Sequence, residues 1–101
     1  MKRALLLAVL GLGLAAPALA DLALATSKNC MSCHAVERKV LGPSFKDVAA
    51  KYKENKGAVD MLAAKIMKGG SGVWGPVPMP ANTQVSDADA KKLAAWVLST
   101  K

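Results

Sequence analysis

Cys30-Met31-Ser32-Cys33-His34 contains both cysteines and the only histidine of the chain within five positions. Cys-x-x-Cys-His is the pattern of a c-type haem attachment site. Two thiols three residues apart lie about one helical turn apart, so both can add to the vinyl groups on one edge of a porphyrin. The residue directly after the second thiol is then held under the iron, where its imidazole becomes the proximal ligand. Tethering makes that ligation intramolecular and raises the effective concentration of His34. Other chemistries use parts of the same pattern. A dithiol/disulfide redox centre at Cys30/Cys33 needs a βαβ context, and no strand pattern flanks the motif. Structural zinc needs four ligands, whereas the chain supplies three Cys and His residues in all. A chance grouping in a core is the last alternative.

On the N-terminal side, Lys2 and Arg3 precede an apolar run over residues 4–16, and Pro17 is expected to end any helix there. Ala18-Leu19-Ala20 then gives a small-x-small cleavage pattern before Asp21. These are the parts of a secretory signal peptide. An uncleaved anchor is the competing reading, but residues 4–20 are at the short end for a membrane span. The expected organisation is a cleaved signal peptide at 1–20 and one domain at 21–101. Its destination is the periplasm, with no stable membrane insertion after cleavage. Export and the cysteine motif agree, because an exported cysteine pair without haem assembly would more simply form a disulfide. A domain this short has little margin from one core alone. The haem-free chain is therefore expected to be mostly unfolded.

On the C-terminal side, helical periodicity recurs between turn signals. A first helix is expected over 21–33, with Leu22, Leu24 and Ala25 apolar. It runs into the motif through Asn29, a residue that tolerates a left-handed backbone. A connector over 34–43 ends in Gly42-Pro43, and the Pro43 carbonyl is a candidate partner for the second ring nitrogen of His34. Ser44-Phe45-Lys46-Asp47 is a capping box with Asp in place of Glu. It opens a helix over 44–53 with Phe45, Val48, Ala49 and Tyr52 on one face. Ala58, Met61, Leu62, Lys65 and Ile66 stripe a third helix over 58–68, stopped by Gly69-Gly70. Ser86-Asp87-Ala88-Asp89 opens the last helix, over 87–99, with Ala90, Leu93, Ala94 and Val97 apolar and Trp96 beside them.

Between these helices, residues 69–85 have no helical period, yet Trp74, Val77 and Met79 make a polar linker unsuitable. A long ordered loop in a small domain usually carries function. An iron held by His34 has an opposite axial position, open to the methionines, Tyr52, a lysine or nothing. Met31 lies inside the attachment motif, and Met61 and Met67 sit on a helix where methionine is ordinarily filler. Met79 stands between Pro78 and Pro80, which stiffen the backbone around a thioether, and is the candidate. A thioether favours reduced iron and raises the potential relative to two nitrogen ligands. A filled sixth site leaves nowhere for substrate, so the site carries electrons and is not an enzyme.

The chain resembles the short bacterial class I cytochromes c, the cytochrome c-551 group. The residues carrying the resemblance are Cys30 to His34, Val40 to Ala49, Gly72 to Pro80, and Trp96-Val97-Leu98, so it spans essentially all of 21–101. It implies an all-α fold of four to five helices around one covalently bound haem c, with the first and last helices crossing. It also implies Cys30 and Cys33 as thioether anchors, His34 and Met79 as axial ligands, and the Pro43 carbonyl behind His34. By the same resemblance Trp74 and Lys65 fall near a haem propionate and Asn82 near the methionine sulfur. Two positions depart from the group's habit, Asn29 where Gly is common and Ala81 where a second Pro is common; neither removes a ligand.

The chain carries 14 Lys+Arg against 7 Asp+Glu. Loss of Lys2 and Arg3 and gain of two propionates would leave it modestly basic. Few aromatics and no basic run longer than two residues exclude a nucleic-acid partner. Lys28, Lys46, Lys51, Lys65 and Lys68 are candidates for steering a monomeric carrier to acidic partners, with rates falling as salt rises. The partners the resemblance implies are a nitrite reductase, terminal oxidase or peroxidase as acceptor and a quinol-oxidising complex as donor. The alternative function is a thiol-disulfide oxidoreductase using Cys30/Cys33.

Overall fold

The computed structural model describes residues 16–101, with side chains from Asp21 onward. The n-region and most of the apolar run of the expected signal peptide lie outside the described residues. Among the described residues there are four α-helices: α1 (Ala16–Ser27), α2 (Phe45–Tyr52), α3 (Ala58–Lys68) and α4 (Asp87–Ser99). A 3-10 turn at Cys30–Ser32 follows α1, and an antiparallel ribbon of β1 (Gly70–Gly72) and β2 (Gly75–Met79) follows α3. Among the described residues no helix is long and apolar enough to cross a membrane.

The helices begin and end for local reasons. Ser44 Oγ accepts from the Asp47 N–H at 3.0 Å, and Ser86 Oγ accepts from the Asp89 N–H at 3.1 Å, so the serine half of each expected capping box forms, without a return bond from the aspartate, whose side chain is shorter than the usual Glu. Each satisfies one of the orphan donors of a first turn. Helix α1 differs from its expected span. It is described from Ala16, with Pro17 inside it instead of ending a helix, and it stops short of the attachment turn. The helix stops at Ser27 because Asn29 takes φ 66°, a left-handed conformation that Asn accepts more readily than most residues.

Helix α4 is the hub, packing against α1, α2 and α3. Ala25 of α1 and Ala90 and Ala94 of α4 are fully buried, as small residues must be where helices approach closely. Phe45, Val48, Leu93, Trp96 and Val97 fill the centre. Tyr52 is only partly buried and Leu22 is exposed, so the expected apolar faces of α1 and α2 are narrower than their sequences suggest. On α3 the most buried side chain is Ala63, outside the expected stripe, while Leu62 and Lys65 of that stripe turn toward a cleft.

The ribbon is the element that periodicity missed. Gly70 pairs with Met79 and Gly72 with Gly75, with an irregularity between them opposite Pro76 and Pro78. Proline lacks a ladder donor, which is tolerable in a two-stranded ribbon where both strands are edges.

Leu93 is 2 % exposed. Leu93→Ala is expected to cost about 2–5 kcal/mol, the range for a buried leucine that leaves a cavity, measured by denaturant unfolding of the haem-loaded protein. Asn29→Ala is expected to cost roughly 1 kcal/mol, the steric penalty of a left-handed residue with a plain Cβ, in the same assay.

Candidate functional site

The attachment turn is folded back on itself before it presents any side chain. The N–H groups of Cys33 and His34 both donate to the Cys30 carbonyl, at 3.2 and 3.1 Å. The connector then returns to the turn. Gly42 N–H donates to the Cys33 carbonyl at 2.7 Å, and Phe45 and Lys46 N–H donate to Ala35 and Val36, each at 3.0 Å. Helix α2 is thereby anchored beside the turn, and Phe45 stacks on the His34 imidazole with centroids 5.0 Å apart and an interplanar angle of 27°. Trp96 meets the other side of this arrangement edge-on to Phe45, at 5.4 Å.

His34 Nδ1–H donates to the Pro43 carbonyl at 2.8 Å, the partner expected for it. A carbonyl can only accept, so this bond fixes the tautomer and leaves Nε2 with a free lone pair. Gly42 makes the approach possible. A Cβ there would collide with Cε1 of the imidazole and stand 2.8 Å from Nδ1. Sequence reasoning read Gly42 as turn punctuation; its need to be bare comes from a ring eight residues earlier in the chain.

His34, Leu62, Lys65 and Met79 line two adjoining cavities that open into one cleft. The outer one encloses about 930 Å³ of space continuous with solvent, walled by Cys33, Tyr52, the ribbon and Trp74. The inner one, about 550 Å³, reaches Cys30 and the core residues Phe45, Leu93 and Val97. Each cavity has one thiol at its edge. Burial pushes the Cys30 thiol above its ordinary value; a hydrogen bond to its own backbone pulls the other way, and nearby Cys33 adds to the rise. Dithiol redox centres work with lowered thiol pKa values, so this environment runs against that alternative. Nor does any group of three or more His, Cys, Asp and Glu converge among the described residues, as a zinc site would need.

Met79 is the last residue of β2 and lines both cavities with His34. Gly69 holds it there, with φ 76° and no Cβ; an added Cβ would stand 2.5 Å from the Met79 carbonyl oxygen and 2.9 Å from the Ala81 nitrogen. Asn82 does not line the cleft. Its N–H and its side-chain amide both donate to the Ile66 carbonyl, at 3.1 and 2.9 Å, pinning the methionine loop to α3. Lys65 reaches along the cleft toward Gly70. Trp74 is 40 % exposed at the cleft mouth, with Lys51 Nζ 5.6 Å from its ring centroid and 5.8 Å from that of Tyr52. Of the other lysines, Lys46 bonds Glu37 at 2.8 Å and holds that carboxyl below its usual range.

A helical chain with a Cys-x-x-Cys-His turn facing an apolar cleft is the arrangement of a small c-type haem protein. The cytochrome c family model matches residues 22–101, and the chain belongs to the cytochrome c family. It is 55 % identical over 101 residues to the cytochrome c-552 of Hydrogenobacter thermophilus, covering all of both chains. It is 53 % identical over 75 residues to the cytochrome c-551 of Pseudomonas aeruginosa, covering 74 % of this chain and 71 % of that one. The crystal structure of wild-type Nitrosomonas europaea cytochrome c552 superposes with a TM-score of 0.78 at 56 % identity, covering 79 % of this chain and 99 % of that one. The fold is thus that of a class I cytochrome c, mostly helical with one small ribbon. The cofactor of the family is covalently bound haem c, and the residues present fit it: two thiols, an imidazole with one nitrogen engaged, and an apolar cleft beside them.

Gly42→Ala is expected to displace the His34 ring and break the 2.8 Å bond to Pro43. The haem-loaded variant should show a shifted His34 ring-proton signature by NMR and a raised midpoint potential, because an imidazole without that acceptor is a weaker donor to oxidised iron, while far-ultraviolet circular dichroism stays helical.

Proposed function

We propose that this chain is a periplasmic one-electron carrier holding a single haem c through Cys30 and Cys33, with His34 and Met79 as axial ligands. One observation carries the reading: His34, with Nδ1 committed to Pro43 and Nε2 free, lines the same cleft as Met79. When bound, haem supplies a one-electron iron couple. The chain's own residues do the rest. The Pro43 carbonyl orients the imidazole and increases its basicity. Gly69 and Asn82 fix the loop that offers the thioether. Leu62, Phe45 and Val97 give the inner part of the cleft an apolar lining, which together with a thioether ligand favours the reduced state. With both axial positions taken by the protein there is no place for substrate, so the reading is of a carrier and not an enzyme.

Lys65 and Trp74 are read as contacts to the propionates, because both line the outer cavity. Asn82 is read as holding the methionine loop, through its bonds to Ile66. Leu41, Val73, Trp74 and Val77 are exposed at the cleft mouth, with Lys51 beside them. Such a mouth suits brief docking to redox proteins through a small interface. Acceptors of the nitrite reductase, terminal oxidase or peroxidase kind, and a quinol-oxidising donor, fit a basic carrier in that compartment. Residues 1–20 are read as an export signal removed after Ala20, which agrees with a family match that begins at residue 22.

The test is a visible spectrum of the exported protein, oxidised and then reduced. Sharp low-spin bands that resist acid-acetone extraction, with a weak far-red sulfur-to-iron band in the oxidised form, are expected. Met79→Ala should abolish the far-red band and let the reduced protein bind carbon monoxide; an unchanged band in that variant would sink the Met79 assignment.

A further inference from the structure

The attachment turn and the methionine loop both line the cleft and belong to distant parts of the chain. Among the described residues, hydrogen bonds between residues 21–34 and 69–85 occur at one place, the pair Lys28 and Gln84. Gln84 Nε2 donates to the Lys28 carbonyl at 3.3 Å, and Lys28 Nζ donates back to the Gln84 carbonyl at 3.4 Å. The Lys28 carbonyl belongs to the end of α1, where carbonyls have no intrahelical partner. It lies two residues before Cys30.

The same Gln84 amide also donates to Asn82 Oδ1 at 3.3 Å. Asn82 in turn donates its Nδ2 to the Ile66 carbonyl at 2.9 Å and toward the Pro80 carbonyl at 3.4 Å. Backbone carbonyls only accept. Ile66 and Pro80 therefore require the NH2 end of Asn82, which turns its oxygen to Gln84. Lys28 and Asn82 Oδ1 together require the NH2 end of Gln84. One orientation of the two amides satisfies all four contacts, and turning either amide over sets oxygen against oxygen.

We propose that Gln84 is a positioning residue for the methionine ligand, acting through Asn82. It locks the Asn82 amide in the orientation that pins the Met79 loop to α3, and it ties that loop to the residue that leads into the haem attachment turn. The inference rests on the reading of Met79 as the sixth ligand. Its working consequence is resistance of the sixth position to outside ligands. Opening the loop is what an added base such as imidazole must achieve before it reaches iron, and the Gln84 bonds oppose that opening.

The experiment uses the haem-loaded protein and imidazole as the competing ligand, with loss of the far-red band as the signal. Gln84→Leu keeps the size of the side chain and removes its donors. It should leave haem content and the far-red band intact yet tighten imidazole binding about fivefold, the effect of losing roughly one modest hydrogen bond. Asn82→Ala should tighten it at least as much, and adding Gln84→Leu to Asn82→Ala should tighten it by clearly less than fivefold further, because only the Lys28 tie is then left to lose. Unchanged imidazole affinity in Gln84→Leu, even with a lowered unfolding midpoint, would overturn the proposal. So would additive effects of the two substitutions, which would remove Asn82 from the route. Absence of the far-red band in the unaltered protein would overturn Met79 as ligand, a failure read before any variant is made.

Discussion

The bond from His34 Nδ1 to the Pro43 carbonyl, 2.8 Å long, is the constraint on which the rest of the arrangement depends. It turns a flexible side chain into a fixed donor by settling tautomer and ring direction together. It can form only because the connector over residues 35–43 folds back on the attachment turn, and because Gly42 leaves the imidazole room. Phe45 then closes over the ring from the first turn of α2, and Trp96 of α4 backs Phe45. Turn, connector, α2 and α4 thus converge on one imidazole. The proximal side is stiff because its contacts are backbone bonds and packed rings.

The opposite side is built differently. Met79 lies on a ribbon whose strands are short and rich in glycine and proline. Little apolar area is buried there, and Val73 and Val77 are exposed. What holds it is a set of polar ties to elements that are themselves well packed: the Gly69 turn out of α3, the Asn82 bonds to Ile66, and the Gln84 link to α1. Exposed hydrogen bonds each contribute only about 1 kcal/mol net. This wall is therefore the one that competing ligands and solvent can open.

The protein core explains the dependence expected on the cofactor. Among the described residues, six of the twelve buried apolar ones are alanine, which lets α1, α3 and α4 approach closely but removes little area from water. The larger apolar side chains Leu62, Ile66 and Met79 are only partly buried and face the cleft. A haem bonded to Cys30 and Cys33 would supply the apolar surface that these residues otherwise lack. The small core and the large cleft are two sides of one design, in which the prosthetic group takes the place of bulky residues.

Much of this was legible in the order of residues. Two thiols and an imidazole at fixed spacing state the attachment chemistry. Ser44 and Ser86 mark the starts of α2 and α4, and Gly69 marks the end of α3, because caps and stops are local interactions among neighbours. The Pro-Met-Pro segment set Met79 apart from the helical methionines for an equally local reason. Other features were invisible there. The ribbon has no alternating pattern, since glycines and prolines occupy the positions that would show it. Gly42 and Gly69 are ordinary turn residues until a ring and a distant backbone are brought against them, and Gln84 is a polar loop residue until Lys28, 56 positions away, presents its carbonyl. By itself the sequence determined the cofactor chemistry and the helices, which depend on neighbours in the chain. Only the tertiary structure decided how the two walls of the cleft are held, because that depends on contacts between residues far apart in the chain.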